Sequence, residues 1–252
     1  IDVATSSLGG NVDYNQMQEL PVAGRNWMSL ALLAPGNRTN AQGATPVQDR
    51  TDVREFQLNV DGMQVTSNLG TGNQSRYSRD SIAEFQFISN RFDATQGRSS
   101  GVQVNVVTKS GTNNLGGSFT GNFRDSKWNS ADPVLHRVLP YSNQQFSGTL
   151  GGPIVKNKLH YFGNFEYERQ PLTSIWDTPY PAFNVELKGT RNVKLAGVRV
   201  DEEVTSSMRL TGKLNHSNLL EPFGDGTGHH PSGTNKNQEH STDVLGQVTN
   251  VL

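Results

Sequence analysis

The chain has 252 residues, of which 33% are hydrophobic, a formal net charge of −1 at pH 7 and no cysteine. Near-neutral charge without a long basic run argues against a nucleic-acid partner, because phosphate neutralisation needs clustered Lys and Arg. The apolar content is low for soluble cores but typical of a membrane barrel, in which only alternate strand residues face lipid. No window approaches the roughly eighteen apolar residues of a membrane helix, so any membrane crossing must use strands.

The beginning of the sequence predicts a linker followed by a buried helix. Residues 1–18 are polar and contain one Gly-Gly pair, which favours a linker. Residues 26–33 place apolar side chains at helical spacing, and Pro35-Gly36 ends the run. The chain starts at Ile1 without Met or a signal peptide, so we expect both of its ends to be cut.

A hairpin between two long polar loops is expected next. Residues 56–60 alternate apolar and polar side chains and lead into Asp61-Gly62, which predicts a strand and a hairpin turn. Residues 37–54 and 66–79 are rich in polar residues and are predicted as loops. Two such loops on one small domain suggest a binding surface.

Residues 81–113 join this region to the rest of the chain. The spacing predicts a helical turn passing into a strand over 81–87 and a polar loop or short helix over 90–100. Residues 101–108 place Val at every second position, which predicts another strand.

Beyond residue 111 the pattern changes to strands with one apolar and one polar face. Phe119, Phe165, Val193 and Leu195 are among the residues assigned to the apolar face. Each strand approaches the nine to eleven or so residues that a tilted membrane strand requires. The six predicted strands lie near residues 116–124, 145–153, 158–168, 192–201, 207–216 and 242–252.

The links between these strands alternate in length. Residues 154–157 and 202–206 are short links, whereas 125–144 and 217–241 are long. Transmembrane barrels show this asymmetry, with short turns at one end and long loops at the other. A soluble β-sandwich binding module would also show alternating strands, and it remains the structural alternative.

The sequence contains no recognisable set of catalytic residues, so we predict that the chain is not an enzyme and binds no cofactor. There is no Cys, no GxSxG, no GxxxxGK and no HExxH. His229, His230, Glu239 and His240 carry groups that suit Zn or Cu. They fall in a Gly- and Asn-rich segment expected to be an exposed loop, so we predict no metal site.

Several sequence blocks carry a family resemblance. They are ELPVAGRN (19–26), LAPG (33–36), VDG (60–62), the run 81–113 with its VNVVTKSGTN ending, and LGGPI (150–154) with YFGNFEYER (161–169). In this order they resemble the TonB-dependent outer-membrane receptors, in particular the Oar-like group, which carries forms of ELPLNGRN, LxPG, LDG, VNVVTKSGTN and GGPI. The sequence departs from the group's pattern at Thr95 and at Leu115-Gly116.

The resemblance implies an α+β plug domain followed by the first strands of a large antiparallel transmembrane β-barrel. Residues 1–111 would be a periplasmic linker and the plug, and 112–252 about six strands of the barrel. Such barrels have about 22 strands, so the chain would be a fragment. The resemblance places it in the cell outer membrane, in contact with lipid.

The resemblance also implies a function. A receptor of this kind binds an extracellular solute and imports it with energy transmitted by TonB, which would pair with a segment upstream of this chain. The alternatives are a secreted or surface-attached β-rich adhesin or carbohydrate-binding module, and a barrel of the same family that acts in protein export.

The loop after the VDG hairpin is the predicted solute site, because in related plugs it leads to an apical loop that contacts the ligand. It offers donors, acceptors and a stacking ring. The candidate ligand-binding residues are Asn68, Asn73, Gln74, Arg76 and Tyr77.

The barrel strands predict which side chains face inward and which face lipid. Charged groups on the inner wall need partners across the interface with the plug, because buried charges are costly when unpaired. The four expected inner charges are Glu166, Glu168, Arg209 and Lys213. The aromatic residues expected to face lipid are Tyr161, Phe165 and Tyr167.

Overall fold

The computed structural model describes residues 8–19, 27, 56–65, 76–89, 102–131, 133, 136–138, 141–176, 178–223, 233 and 235–250. These residues form two β-sheets and a few short helical turns. The predicted helix at 26–33 and most of both predicted polar loops lie outside the described residues. No helix in the described part of the chain is long and apolar enough to cross a membrane.

The first sheet, called the mixed sheet below, has five strands in the order β1-β4-β5-β2-β3. Strands β2 and β5 are parallel, and the other neighbours are antiparallel. A helical turn at Arg79–Ser81 leads directly into β4, as the sequence predicts. The elements are β1 (Leu8–Asp13), α1 (Tyr14–Glu19), β2 (Phe56–Val60), β3 (Met63–Gln64), β4 (Ile82–Ser89) and β5 (Val102–Thr108).

One apolar core holds the mixed sheet together. Alternate residues of β2 and β5 point into it, and in β4 a bulge after Ile82 shifts the alternation so that Phe85 and Phe87 point inward. The expectation of a linker over residues 1–18 is wrong for the described part, because β1 pairs with β4 and both Val12 and Met17 are buried. The fully buried side chains include Met17, Leu58, Val60, Ile82 and Phe85.

The turn between β2 and β3 has the conformation that the sequence predicts. Asp61 has φ 49° and Gly62 has φ 83°. Two positive φ values in succession define the type I′ hairpin, whose twist matches that of the flanking strands. Asp tolerates this conformation better than most residues, since its short side chain can form local hydrogen bonds.

The second sheet, called the wall sheet below, is an antiparallel meander of six strands in sequence order. The six predicted strands are confirmed, but most are longer than expected and reach 18 and 19 residues in β8 and β9. The sheet is open at β6 and β11. Its strands are β6 (Gly116–Asp125), β7 (Ser142–Val155), β8 (Leu159–Trp176), β9 (Val185–Glu203), β10 (Met208–Glu221) and β11 (Asn237–Asn250).

The alternation of link lengths persists in the wall sheet. Residues 156–158 and 204–207 form tight turns at one end, whereas 126–141, 177–184 and 222–236 connect strands at the other. The link between β8 and β9 is shorter than expected, because the two strands stay paired as far as Trp176 and Val185.

The wall sheet has a polar inner face against the mixed sheet and an apolar outer face. Residues directly opposite each other in antiparallel strands lie on the same face. Thus Ser147 and its partner Glu166 are buried on the inner face, whereas Phe119 and Phe165 are 78% and 54% exposed on the outer face. This agrees with the sequence assignment for β6, β7 and β8.

The assignment of Val193 and Leu195 to the apolar outer face is wrong. Leu195 lies opposite Glu166, so both residues face inward. Val193 and Leu195 instead pack with Leu219 in a small buried cluster on the inner face. An apolar residue in a strand therefore identifies the outer face only where the inner face is exposed to water. At Val193 and Leu195 the inner face is covered, so apolar residues occur there as well.

A charge on the outer face should impair membrane assembly of the barrel that the sequence resemblance implies. We expect Phe165→Arg to lower the amount of folded full-length protein in the membrane, because Arg at the bilayer midplane costs about 2–4 kcal/mol in transmembrane barrels. Asn164→Arg adds the same charge one residue away on the inner face and should keep membrane insertion. Quantitative immunoblotting of outer-membrane fractions checks both, and equal losses would contradict the assignment of faces.

Candidate functional site

A buried polar interface joins the mixed sheet to the inner face of the wall sheet. Its central element is the segment 76–81, which ends in the helical turn before β4. Ser78 caps this turn by accepting a hydrogen bond from the Asp80 amide, and both side chains are almost fully buried. Buried polar groups require partners, and here the wall sheet supplies them.

Ser78 and Asp80 bind adjacent strands of the wall sheet. The Ser78 hydroxyl donates to a Glu166 carboxylate oxygen on β8, and the Ser147 hydroxyl on β7 donates to Asp80. The second Glu166 oxygen accepts from Gln145 Nε2 at 2.6 Å. Hydrogen bonds to a carboxylate are stronger than neutral ones, so this contact fixes the turn against the wall.

Tyr77 crosses the interface to β10 and β11. Its hydroxyl donates to Asp243 at 2.9 Å, and its backbone oxygen accepts from Trp27 Nε1 at 3.1 Å. The Lys213 ammonium lies 4.7 Å from the centroid of the ring, within the range of a cation–π contact. Burial, followed by the negative charge of Asp243, raises the pKa of the Tyr77 phenol, which therefore stays protonated as a donor.

Arg76 lies at one end of the same segment. Its guanidinium is 3.7 Å from Glu239 on β11, and its backbone oxygen accepts from Asn215 Nδ2 at 3.0 Å. Burial and the nearby Arg191 guanidinium lower the pKa of Arg76, while Glu239 opposes that shift. An Arg remains charged even so, because its ordinary pKa lies far above neutral pH.

Asp61 is the centre of a second contact. Within the mixed sheet, its carboxylate accepts from the Thr108 amide at 2.9 Å and from the Thr108 hydroxyl at 2.6 Å. From the wall sheet, Lys213 Nζ donates at 2.8 Å and Arg199 approaches to 3.5 Å. The type I′ turn thus presents a carboxylate to two cations of β9 and β10.

The Arg199 guanidinium is held in place from both sides. Asp201 binds it in bidentate fashion at 2.8 and 2.9 Å, and Arg199 Nη1 donates to the Thr108 backbone oxygen at 3.1 Å. Bidentate pairs fix geometry as well as charge. Arg199 therefore positions the end of β5 against the wall.

The net effect of these neighbours is to lower the pKa of Asp61. Burial alone would raise it, but the Lys213 charge and the hydrogen bonds from Lys213 and Thr108 outweigh burial. Because the folded-state pKa is lowered, the ionised Asp61 carboxylate stabilises the folded protein at pH values above its unfolded-state pKa. This stabilisation is lost as the pH falls through the folded-state pKa.

A close backbone contact follows Thr108 in the chain. A β-carbon on Gly111 would lie 2.2 Å from the Tyr161 carbonyl oxygen and 2.9 Å from that of Gly152. No side chain fits at either distance, so glycine lets the chain pass directly over β7 and β8. Two residues later, Asn113 Oδ1 accepts from the Asn157 amide at 2.7 Å in the β7–β8 turn.

The four charges predicted for the inner wall divide into two groups. Glu166 and Lys213 reach the mixed sheet, as expected. Glu168 instead pairs with Arg191 at 2.9 Å, and Arg209 pairs with Glu203 at the exposed end of the wall sheet. The Glu168 charge also acts on Arg76 across the interface, so the expectation of a partner there is wrong only for Arg209, which the neighbouring strand of the same sheet neutralises.

The structure describes two of the five predicted solute-binding residues. Tyr77 is only 4% exposed and Arg76 is partly buried, and both contact the wall sheet. The expectation that Tyr77 is presented to a solute is therefore corrected, because its hydroxyl is bound to Asp243 and its ring contacts Lys213. Asn68, Asn73 and Gln74 lie outside the described residues, and solute binding by this loop stays a prediction.

The expected exposed loop around Glu239 and His240 is a strand. Both residues lie in β11, where Glu239 faces inward to Arg76 and the adjacent His240 is exposed on the outer face. His229 and His230 lie outside the described residues. Over the ranges that the structure describes, no group of three or more His, Cys, Asp or Glu residues is placed to hold a metal ion.

Sequence reasoning missed the residues that carry most of the interface. Asp61 was recognised only as part of a turn, although an acidic residue that directly follows a strand with a buried apolar face could have indicated a buried acceptor. The partners Ser78, Thr108 and Asp243 carry no local signal, because their role depends on strands far away in the chain.

A model of the outer membrane beta barrel domain matches residues 107–183. The TonB-dependent transporter Oar of Myxococcus xanthus is 30% identical over 181 residues, which are 66% of this chain and 17% of that protein.

Solved structures give the same fold. The ferric enterobactin receptor PfeA of Pseudomonas aeruginosa (G324V mutant) aligns with a TM-score of 0.61 at 13% identity, over 85% of this chain and 33% of that one. The siderophore receptor PirA of the same organism aligns with a TM-score of 0.57 at 15% identity, over 94% and 41%. The chain thus spans less than half the length of the proteins it matches.

These findings indicate the class of protein: the chain contains a match to an outer membrane beta barrel domain, and its location is the cell outer membrane. Within that class, the resemblance to TonB-dependent receptors of the Oar-like group is confirmed. The relatives are transporters and receptors rather than enzymes, and they favour outer-membrane transport over a soluble binding module.

Proposed function

We propose that the mixed sheet is the plug of a TonB-dependent transporter, and that the wall sheet is the first part of the barrel around it. In this proposal the full-length receptor binds a solute at the cell surface and imports it when TonB pulls on the plug. The observation that carries the proposal is the buried polar interface between the two sheets.

A polar interface suits a plug that has to move. Apolar surfaces that separate inside a barrel are exposed to water without compensation, whereas a hydrogen bond to a charged protein group can be exchanged for hydrogen bonds to water at a net cost of about 1.5–3 kcal/mol. The contacts of Ser78, Tyr77 and Asp61 are hydrogen bonds of this charged kind. They fix the resting position of the mixed sheet without making its release prohibitive.

The position of β1 supports a pull from the N-terminal side. Among the strands that the structure describes, β1 is at the edge of the mixed sheet and pairs with β4 alone, over Leu8–Asp13. A force on the chain before Leu8 would act on this edge strand first. The segment 76–81 and the Asp61 turn, which are bound to the wall, would resist the force. TonB would bind upstream of this chain.

We further propose that the loop 66–75 contacts the solute through Asn68, Asn73 and Gln74, while Arg76 and Tyr77 anchor the base of that loop. The anchors hold one end of the loop against β10 and β11. Loops fixed at their base by a rigid scaffold are where binding residues concentrate. PfeA has been solved in complex with enterobactin, which makes ferric enterobactin the first solute to test.

Uptake by the full-length receptor tests both parts of the proposal. Uptake of a labelled solute, beginning with ferric enterobactin, should stop when TonB is deleted, at unchanged receptor abundance. Replacing Asn68, Asn73 and Gln74 together by alanine should weaken solute binding at least about tenfold, because polar partners would be lost. Uptake in the absence of TonB would show that TonB is not the energy source. Normal solute binding by the triple variant would instead favour a solute site in the barrel loops 126–141 and 222–236.

A further inference from the structure

A row of amide side chains crosses the whole mixed sheet on the face opposite its apolar core. Residues paired in register lie on the same face of a sheet, and successive residues of a strand lie on opposite faces. Leu58, Phe85 and Val104 belong to the core, so their neighbours along the strand lie on the other face. The strand register places one Asn or Gln of every strand in a single row, called the amide row below: Asn11 (β1), Gln86 (β4), Asn105 (β5), Asn59 (β2) and Gln64 (β3).

Hydrogen bonds between amides fix the centre of the amide row. Asn59 Nδ2 donates to Asn105 Oδ1 at 3.0 Å, from β2 to β5. Gln57 and Gln103, which lie on the same face in the neighbouring row, donate to Asn59 Oδ1 at 2.8 Å and to Asn105 Oδ1 at 3.1 Å. An amide has two N–H donors and an oxygen that accepts twice, so these bonds use only part of its capacity. Gln57 is 7% exposed and its Oε1 has no hydrogen-bond partner, which leaves a buried acceptor that a hydroxyl group could satisfy.

The strands of the mixed sheet offer no cation on this face, because β1 to β5 contain no Lys or Arg. The charged residues that they place there are Asp13 and Glu84, which are paired in a neighbouring row and are both acidic. None of the wall-sheet contacts described above involves the amide row, and its outer members Asn11, Gln86 and Gln64 are exposed. The row is therefore an uncharged polar surface that contact with the wall sheet does not explain.

We propose that the amide row binds a neutral, hydroxyl-rich solute, an extended oligosaccharide. This inference rests on the proposed function and names the class of its solute. A sugar hydroxyl donates one hydrogen bond and accepts others, and an amide can meet it in either role. Neighbouring strands lie about 4.8 Å apart, which is close to the repeat of a pyranose unit along an extended glycan, so the five amides span about 19 Å, or about four sugar units.

The arrangement fits a sugar better than an anionic siderophore or a peptide. An anionic solute would meet Asp13 and Glu84 without a cation from these strands, and like charges repel. An extended peptide pairs with the edge of a sheet through its backbone, whereas the amide row runs across the strands on one face. Side-chain amides that repeat from strand to strand instead suit a chain of repeating hydroxyl groups.

Isothermal titration calorimetry of the full-length receptor in neutral detergent tests the site with three neutral sugars: maltohexaose, cellohexaose and xylohexaose. At least one of them should bind to the wild-type receptor. The double variant Asn11→Ala/Gln86→Ala should weaken its binding about thirtyfold, from about fivefold for each hydrogen bond lost. Both residues are exposed, so the substitutions should leave the fold intact.

The matched control removes one Asn and one Gln away from the amide row. Asn15 on α1 and Gln238 on β11 are exposed, and Asn15→Ala/Gln238→Ala should change the affinity for the sugar less than about twofold. Failure of all three sugars to bind, unchanged affinity in the row variant, or equal losses in the two variants would each overturn the proposal. Binding in detergent requires neither TonB nor import, so such a result would leave the proposed uptake to its own test by deletion of TonB.

Discussion

Asp61→Asn should loosen the mixed sheet from the wall sheet more than any other single removal of charge at this interface. Asn keeps the shape of the side chain and tolerates the positive φ of the type I′ turn, so only the negative charge is removed. Lys213 is 7% exposed and would lose its carboxylate partner. Removing one partner of a buried ion pair costs about 3–5 kcal/mol.

Hydrogen exchange in the full-length receptor measures this effect directly. Amides of β2 and β5 should lose protection about a hundredfold or more, whereas those of β8 and β9 should change little. Glu203→Gln is the control, because it breaks an exposed pair with Arg209 that contributes at most about 1 kcal/mol.

A second variant separates the ion pair from other consequences of the substitution. Adding Lys213→Met to Asp61→Asn removes the unpaired cation and should restore much of the protection, since a packed apolar side chain can replace a buried charge pair. If Asp61→Asn alone left β2 and β5 as protected as in wild type, the carboxylate would not be what anchors the mixed sheet.

Gly111→Ala should disrupt the junction between the two sheets. Its β-carbon would lie 2.2 Å from the Tyr161 carbonyl oxygen, and the neighbouring atoms are backbone groups of paired strands that cannot turn aside. Overpacking typically costs about 1–3 kcal/mol, and a backbone obstacle puts this site at or above the upper end. We expect a lower yield of folded receptor and more proteolysis between β5 and β6.

Gly212→Ala provides the matched control. Gly212 lies on the outer face of β10, and nothing within 4 Å would meet an added methyl group. Limited proteolysis of outer-membrane fractions should therefore show wild-type resistance for Gly212→Ala and increased cleavage for Gly111→Ala. Similar resistance to proteolysis in both variants would mean that the backbone at Gly111 can shift without loss of stability.

The sequence by itself determined the local elements of this protein. The six strands beyond residue 111 follow from alternation, because a strand exposes successive side chains to opposite faces. The turn at Asp61-Gly62 follows from the residues that accept positive φ. The motifs around 81–113 and 150–169 also indicated the family, since they preserve turns and strand ends in a fixed order.

Only the tertiary structure decided how these elements meet. Alternation specifies two faces but not which of them is covered, and so Val193 and Leu195 were assigned to the wrong one. The partners of Tyr77 and Asp61 lie more than a hundred residues away, at Asp243 and Lys213. No local pattern encodes such a pairing, because it depends on strand register and on how one sheet lies across another.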